Sequence, residues 1–173
     1  MTIAALLADK TTKTKAKTEA LAGWLLDGSL PAEELVAFAE TAKDADKGTC
    51  IEAIEYATQR RPDIATDGVF DFMVGSLAAK APRVKWESAK VIGNTAHLFP
   101  DKLSVAVAGL LVNASHEGTV VRWAAAFALG EILKGHTAQH ADFLASIESL
   151  AAQEQQNGVR KKYLDAVKKA AKK

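Results

Sequence analysis

A chain of 173 residues with 49% hydrophobic and 25% charged side chains has the make-up of one soluble globular domain. Cys50 stands alone, which excludes an internal disulfide, and charges or turn residues break every apolar run well short of the roughly 20 residues that cross a bilayer. Its 34 alanines against 4 prolines and 6% aromatics favour helix over strand, so the expected fold is all-α.

The chain opens Met1-Thr2-Ile3-Ala4-Ala5-Leu6-Leu7-Ala8, with no basic stretch ahead of the apolar run, so no signal peptide is expected and the protein reads as cytoplasmic. Lys10, Lys13, Lys15 and Lys17 follow, interleaved with threonines. Glu19 to Leu26 end a helix closed at Gly28, Pro31 with Glu33 and Glu34 opens another, and Arg61-Pro62 ends one holding Cys50 and Tyr56. A helix from about Asp67 to Ala79 comes next. Pro82 suits the first turn of a helix running from Arg83 to Leu98, which Phe99-Pro100-Asp101 breaks. The segment from Lys102 to Ala114 is apolar nearly all round and predicts a helix covered on several sides. Thr119 caps a helix from Val120 to Lys134, with Gly135 suited to the left-handed position after it. A helix from Gln139 to Gln153, a turn at Asn157-Gly158 and a basic helix over 159–173 complete about nine helices, or four pairs plus a final one.

An internal repeat organises these elements. Residues 84–93 read VKWESAKVIG and residues 121–130 read VRWAAAFALG, an offset of 37 residues that matches Val84 with Val121, Lys85 with Arg122, Trp86 with Trp123, Ala89 with Ala126 and Gly93 with Gly130. A weaker copy begins at Val159-Arg160, with Tyr163 and Leu164 supplying the bulk, and KGTCIEAIEYA (Lys47 to Ala57) lies over the same pattern upstream. The clearest units are 82–118 and 119–158.

The repeated V-[KR]-W-x-x-A-x-x-[IL]-G in a helix-turn-helix unit resembles the HEAT repeat family, in its short HEAT-like variant, over about residues 47 to 171. The resemblance implies a right-handed α-α superhelix, an α-solenoid in which the second helix of each pair lines a concave face. It also implies that the basic residue at Lys85, Arg122 and Arg160 pairs with an acid of the neighbouring unit. Families of this kind mostly bind macromolecules and seldom catalyse.

Turning 100° per residue puts Val84, Ala89, Ile92, Ala96 and Phe99 on one apolar stripe and Trp86, Lys90, Gly93 and His97 on a different face, with Trp123, Phe127, Gly130 and Lys134 as counterparts one unit later. Two readings stand for that face. Either the glycines let neighbouring helices approach and the indoles pack over the gap, or the tryptophans form an exposed ladder for a partner. The candidate partner-binding residues are Trp86, Lys90, His97, Trp123, Lys134, Arg160, Lys161 and Lys162.

The last fifteen residues carry a charge of +6, from Arg160, Lys161, Lys162, Lys168, Lys169, Lys172 and Lys173 against Asp165 alone, and the rest of the chain is −5. That end is either a solvated capping helix or a handle for an anionic partner. His136 and His140 are four apart but lack the glutamate of the zinc-protease motif, so no metal or cofactor is expected, and Cys50 near Ile51 and Ile54 reads as a core residue. The expected function is a non-catalytic scaffold that binds another protein or peptide in its concave face. The alternative is a nucleic-acid-binding module using the basic ends, and a role in bilin attachment, as in some HEAT-like lyases, rests on repeat type alone.

Overall fold

A computed structural model of the chain describes residues 1–135 and 140–172, His140 through its backbone alone. These residues form ten α-helices and no strand: α1 (Ile3–Ala8), α2 (Thr14–Asp27), α3 (Ala32–Thr41), α4 (Asp44–Arg60), α5 (Asp67–Ser76), α6 (Pro82–Thr95), α7 (Leu103–Asn113), α8 (Thr119–Gly135), α9 (His140–Gln153) and α10 (Asn157–Ala170). Short 3₁₀ turns at Pro62–Ile64, Ala96–Leu98 and Pro100–Lys102 join some of them.

Local chemistry places most boundaries where expected. Gly28 takes φ +80°, a left-handed conformation that costs glycine nothing, and ends α2. Pro82 fills the first turn of α6, where its missing N–H has no partner to lose. Some boundaries differ: Thr119 is the first residue of α8 rather than its cap, and α5 ends at Ser76 rather than at about Ala79. Gly135 is the last residue of α8 rather than the one beyond it, Asn157 and Gly158 open α10 instead of forming a turn, and α6 tightens into 3₁₀ geometry after Thr95. A tenth helix, α1, precedes the expected set. Six residues are too few to show a helical period, but the Thr2 hydroxyl accepts the Ala5 N–H at 3.1 Å and caps it. Ile3, Leu6 and Leu7 then anchor it in the core.

The helices therefore make five pairs, stacked in two layers. The even-numbered helices α2, α4, α6, α8 and α10 pack face to face in sequence and share the most extensive contacts in the molecule, whereas α3, α5 and α7 touch one another far less. In a two-layer stack the layer with the closer spacing is the inner side of the curve. The concave layer is thus made by α6 and α8, the helices carrying the repeated motif. This corrects the expectation that α7 and α9 would line it, because the true pairs begin one helix earlier, as α5 with α6 and α7 with α8.

The same arrangement explains α7. Leu103, Ala106 and Leu110 are buried against α8, but Val105 and Val112 are 65% and 73% exposed, so this apolar helix is covered on one side and open on the other. The core between the layers is continuous, from Leu21 and Leu35 through Ile54, Phe70, Met73 and Ile92 to Leu129, Ile147 and Tyr163. Cys50 lies within it, and burial, with Asp46 nearby, pushes its thiol up to about 12, so at neutral pH it is an inert apolar side chain. Among the described residues no helix is long and apolar enough to cross a membrane.

Candidate partner-binding surface

Each inner helix carries a basic residue at its fourth position: Lys17, Lys47, Lys85, Arg122 and Arg160. Four of these turn back onto backbone carbonyls at the end of the preceding helix or in the turn just after it, near the unsatisfied carbonyls and the negative end of the helix dipole, which favour a cation. Lys17 donates to Leu7 O and Lys85 to Leu77 O. Arg122 donates to His116 O at 3.0 Å and Glu117 O at 2.9 Å, and Arg160 to Glu154 O. The basic ladder thus clamps four of the five pairs at their internal turn. Among the described residues only Arg122 also forms the expected ion pair with the next unit, with Glu154 at 3.0 Å; Lys85 instead reaches Asn113 Oδ1.

Between α4 and α6 the inner face is held by charge. Arg83 meets Glu52 at 2.7 Å, and Glu52 also accepts from Thr18 of α2, so three consecutive inner helices are linked through one carboxylate. Lys90 lies between two carboxylates, 2.9 Å from Glu87 and 3.4 Å from Glu55, both of them buried. Burial pushes the Lys90 ammonium down, but Glu87 and Glu55 outweigh it and hold the group above the ordinary lysine value. The Trp86 indole N–H donates to Glu87 at 2.8 Å, and Asn94 reaches Glu55 O and the Thr58 hydroxyl.

Farther along the stack the contacts become aromatic and close. A Cβ placed on Gly93 would come within 2.5 Å of Phe127 and 3.2 Å of the Ala128 backbone, so the glycine is what lets α6 and α8 approach. Gly130 does the same toward α10, where a Cβ would stand 3.0 Å from Ala166. Trp123 stacks on Phe127 with centroids 6.0 Å apart and rings inclined by 12°, and Lys162 reaches over both, 4.8 Å from the indole centroid.

The eight candidate residues are therefore dispersed along this face rather than gathered at one point. Trp86 and Trp123 are half-buried and occupy the fifth position of neighbouring inner helices. Lys90 is committed to its two carboxylates, Lys134 is bonded to Glu131, and Arg160 to its carbonyl. His97 is exposed in the 3₁₀ turn after α6, Lys161 is exposed on α10, and Lys162 covers the aromatic pair. In the weak third copy Tyr163 is buried while Leu164 is 52% exposed, so only the tyrosine supplies core bulk. The residues that sequence reasoning missed are Glu52, Glu55, Arg83 and Glu87, the acids and the arginine of the ionic half. Their signal is faint, because Arg83 precedes the recognised motif and the acids have no repeated counterparts. Among the described residues no group of three or more His, Cys, Asp or Glu gathers as a metal site; the His136 and His140 side chains lie outside them.

Neither a family model nor a curated protein matches the sequence. Solved structures match its fold closely. An engineered protein superposes with TM-score 0.75 at 17% identity over 99% of this chain and 80% of its own. The complex of CpcE and CpcF of phycocyanin lyase from Nostoc sp. PCC7120 matches with TM-score 0.70 at 20% identity over 95% of this chain and 94% of that one. A designed armadillo repeat protein in complex with the peptide (KR)4 gives TM-score 0.70 at 16% identity over 97% and 80%. With the two-layer stack, these likenesses define the fold as a HEAT/armadillo-type α-solenoid.

Proposed function

We propose that the chain is a non-catalytic scaffold whose inner face, made by α4, α6, α8 and α10, receives a peptide or helix of another protein. One observation carries the reading: the inner layer sets Trp86 and Trp123 37 residues apart, half-buried, with Phe127 beside the second. Half-buried aromatics on a rigid concave layer supply contact area at little cost in side-chain entropy, as hot-spot residues do. That armadillo-type folds include a designed protein in complex with a peptide supports the reading at the level of architecture. A cytoplasmic setting goes with it, since a single cysteine offers no internal disulfide of the kind that oxidising compartments favour.

Peptides selected from a random display library on the immobilised full chain test this directly. Binding is expected to weaken by about tenfold or more in Trp123→Ser and to persist in Val112→Ser on the outer layer. Loss with Val112→Ser and retention with Trp123→Ser would overturn the reading and move the surface to the other layer.

A further inference from the structure

The far side of α10 is a second surface, adjoining one end of the groove at the Trp123 and Phe127 rings. Lys161, Leu164, Asp165, Lys168 and Lys169 share one face of this helix at 100° per residue, Lys172 follows in the turn after it, and all six are exposed. The opposite face, with Val159, Tyr163 and Ala166, is buried. Some lysines elsewhere on the stack have acids, as Lys90 has Glu55 and Glu87 and Lys102 has Asp67 and Asp71, and Lys17 and Lys85 bond backbone carbonyls. Among the described residues Lys161, Lys168, Lys169 and Lys172 form no ion pair, although the chain outside its last fifteen residues is −5. Lys162, next to this face, turns instead onto the Trp123 and Phe127 rings at the edge of the inner layer.

We infer that this face of α10 binds the phosphodiester backbone of a single-stranded nucleic acid, with bases reaching the Trp123 and Phe127 rings beneath Lys162. Composition separates this occupant from the others. Protein–protein interfaces are depleted in lysine, whereas this surface holds four lysines and one exposed leucine against a single acid, Asp165. A membrane-surface helix needs a broad apolar face to insert, and the apolar face of α10 is already used by α8 and α9. A lysine track beside stacked aromatics is what single strands need, because the phosphates meet the charges and any base meets a ring. The Trp123–Phe127 stack and the lysines lie on adjacent inner helices, which brings both elements to one end of the solenoid.

The test is fluorescence anisotropy of the full chain with a labelled oligothymidylate, repeated with the same strand as a duplex and with phosphatidylserine vesicles. Binding is expected to the single strand, to quench tryptophan emission, and to weaken by about 20- to 50-fold between 50 and 200 mM salt, the slope for three to four phosphate contacts on a single strand. Lys161→Glu/Lys168→Glu/Lys172→Glu, all exposed, is expected to abolish it with the unfolding midpoint unchanged, and Lys15→Glu at the other end to leave it intact. Absence of binding at 50 mM salt, binding that survives the triple variant, duplex binding as tight as the single strand, or binding to vesicles alone would each overturn the inference.

Discussion

The α4–α6 and α8–α10 contacts occupy equivalent places in the inner layer and are built from opposite chemistry. In the first, Arg83, Lys90, Glu52, Glu55 and Glu87 form charge-assisted bonds, two of the carboxylates being buried. In the second, a glycine admits the neighbouring helix, and a cation that crosses, Lys162, sits over aromatic rings. A stack of repeats needs each interface to be favourable on its own and does not need any two to be alike. The difference matters for how each half fails. A buried ionic contact is costly to break from one side, because the partner charge stays behind without compensation; a cation over a ring leaves nothing charged and buried when it is removed.

The largest expected effect follows from this asymmetry. Lys90→Ala leaves Glu55 and Glu87 buried with no cation between them and is expected to cost about 3 to 5 kcal/mol, measured by urea unfolding. Adding Glu55→Gln and Glu87→Gln to that variant is expected to recover much of the loss; no recovery would mean that the lysine stem, not its charge, holds the contact. A smaller effect belongs to Glu154. Burial pushes its carboxyl up, but the Arg122 guanidinium and the Gln156 N–H outweigh that and hold it below its ordinary value of 4.5. A carboxyl depressed in the fold stabilises above its unfolded value, and that contribution disappears as pH falls through the folded one. Glu154→Gln is therefore expected to cost about 2 kcal/mol at neutral pH and to show a shallower acid limb than the wild type. Equal limbs would show that other carboxylates govern acid unfolding.

Between the two halves stands Gly93. Gly93→Ala must displace Phe127 and presses on the Ala128 backbone, against a gain in helix propensity of about 1 kcal/mol, for a net loss of about 1 to 2 kcal/mol. Gly130→Ala, with its looser contact to Ala166, is expected to stay within about 1 kcal/mol of wild type by the same measurement. Last comes Lys162→Ala, at about 0.5 to 1 kcal/mol, the worth of a partly exposed cation over a ring. A loss as large as that of Lys90→Ala would erase the contrast between the halves.

Much of this architecture was legible in the sequence. The two strong copies, with Trp86 and Trp123 in register, place α6 and α8 and carry the resemblance that the solved structures bear out as a fold. The phase of the pairs was not legible, because a repeat of period 37 reads the same whichever helix is counted first, and only packing distinguishes the inner layer from the outer. Hydrophobicity misled for α7, whose Val105 and Val112 face outward although nothing in LSVAVAGLLVN distinguishes them from its buried residues. The ionic half was hidden for another reason. Glu52 and Glu55 look like ordinary solvated helix acids until α4 and α6 are side by side, since their pairing with Arg83 and Lys90 depends on the stack; Glu87 with Lys90, three residues on in α6, follows the spacing along the chain.

The basic residue at the fourth place of every inner helix binds, wherever its bond is seen, to the turn just before it. Lys17 with Leu7, Lys85 with Leu77, Arg122 with His116 and Arg160 with Glu154 each close a bond within about ten residues of chain. Four of the five helical hairpins therefore bring their own clasp, closed by a residue of the hairpin itself. A gene for such a protein can lengthen by copying a single block of codons, since the copied hairpin arrives already fastened and has only to fit its two immediate neighbours.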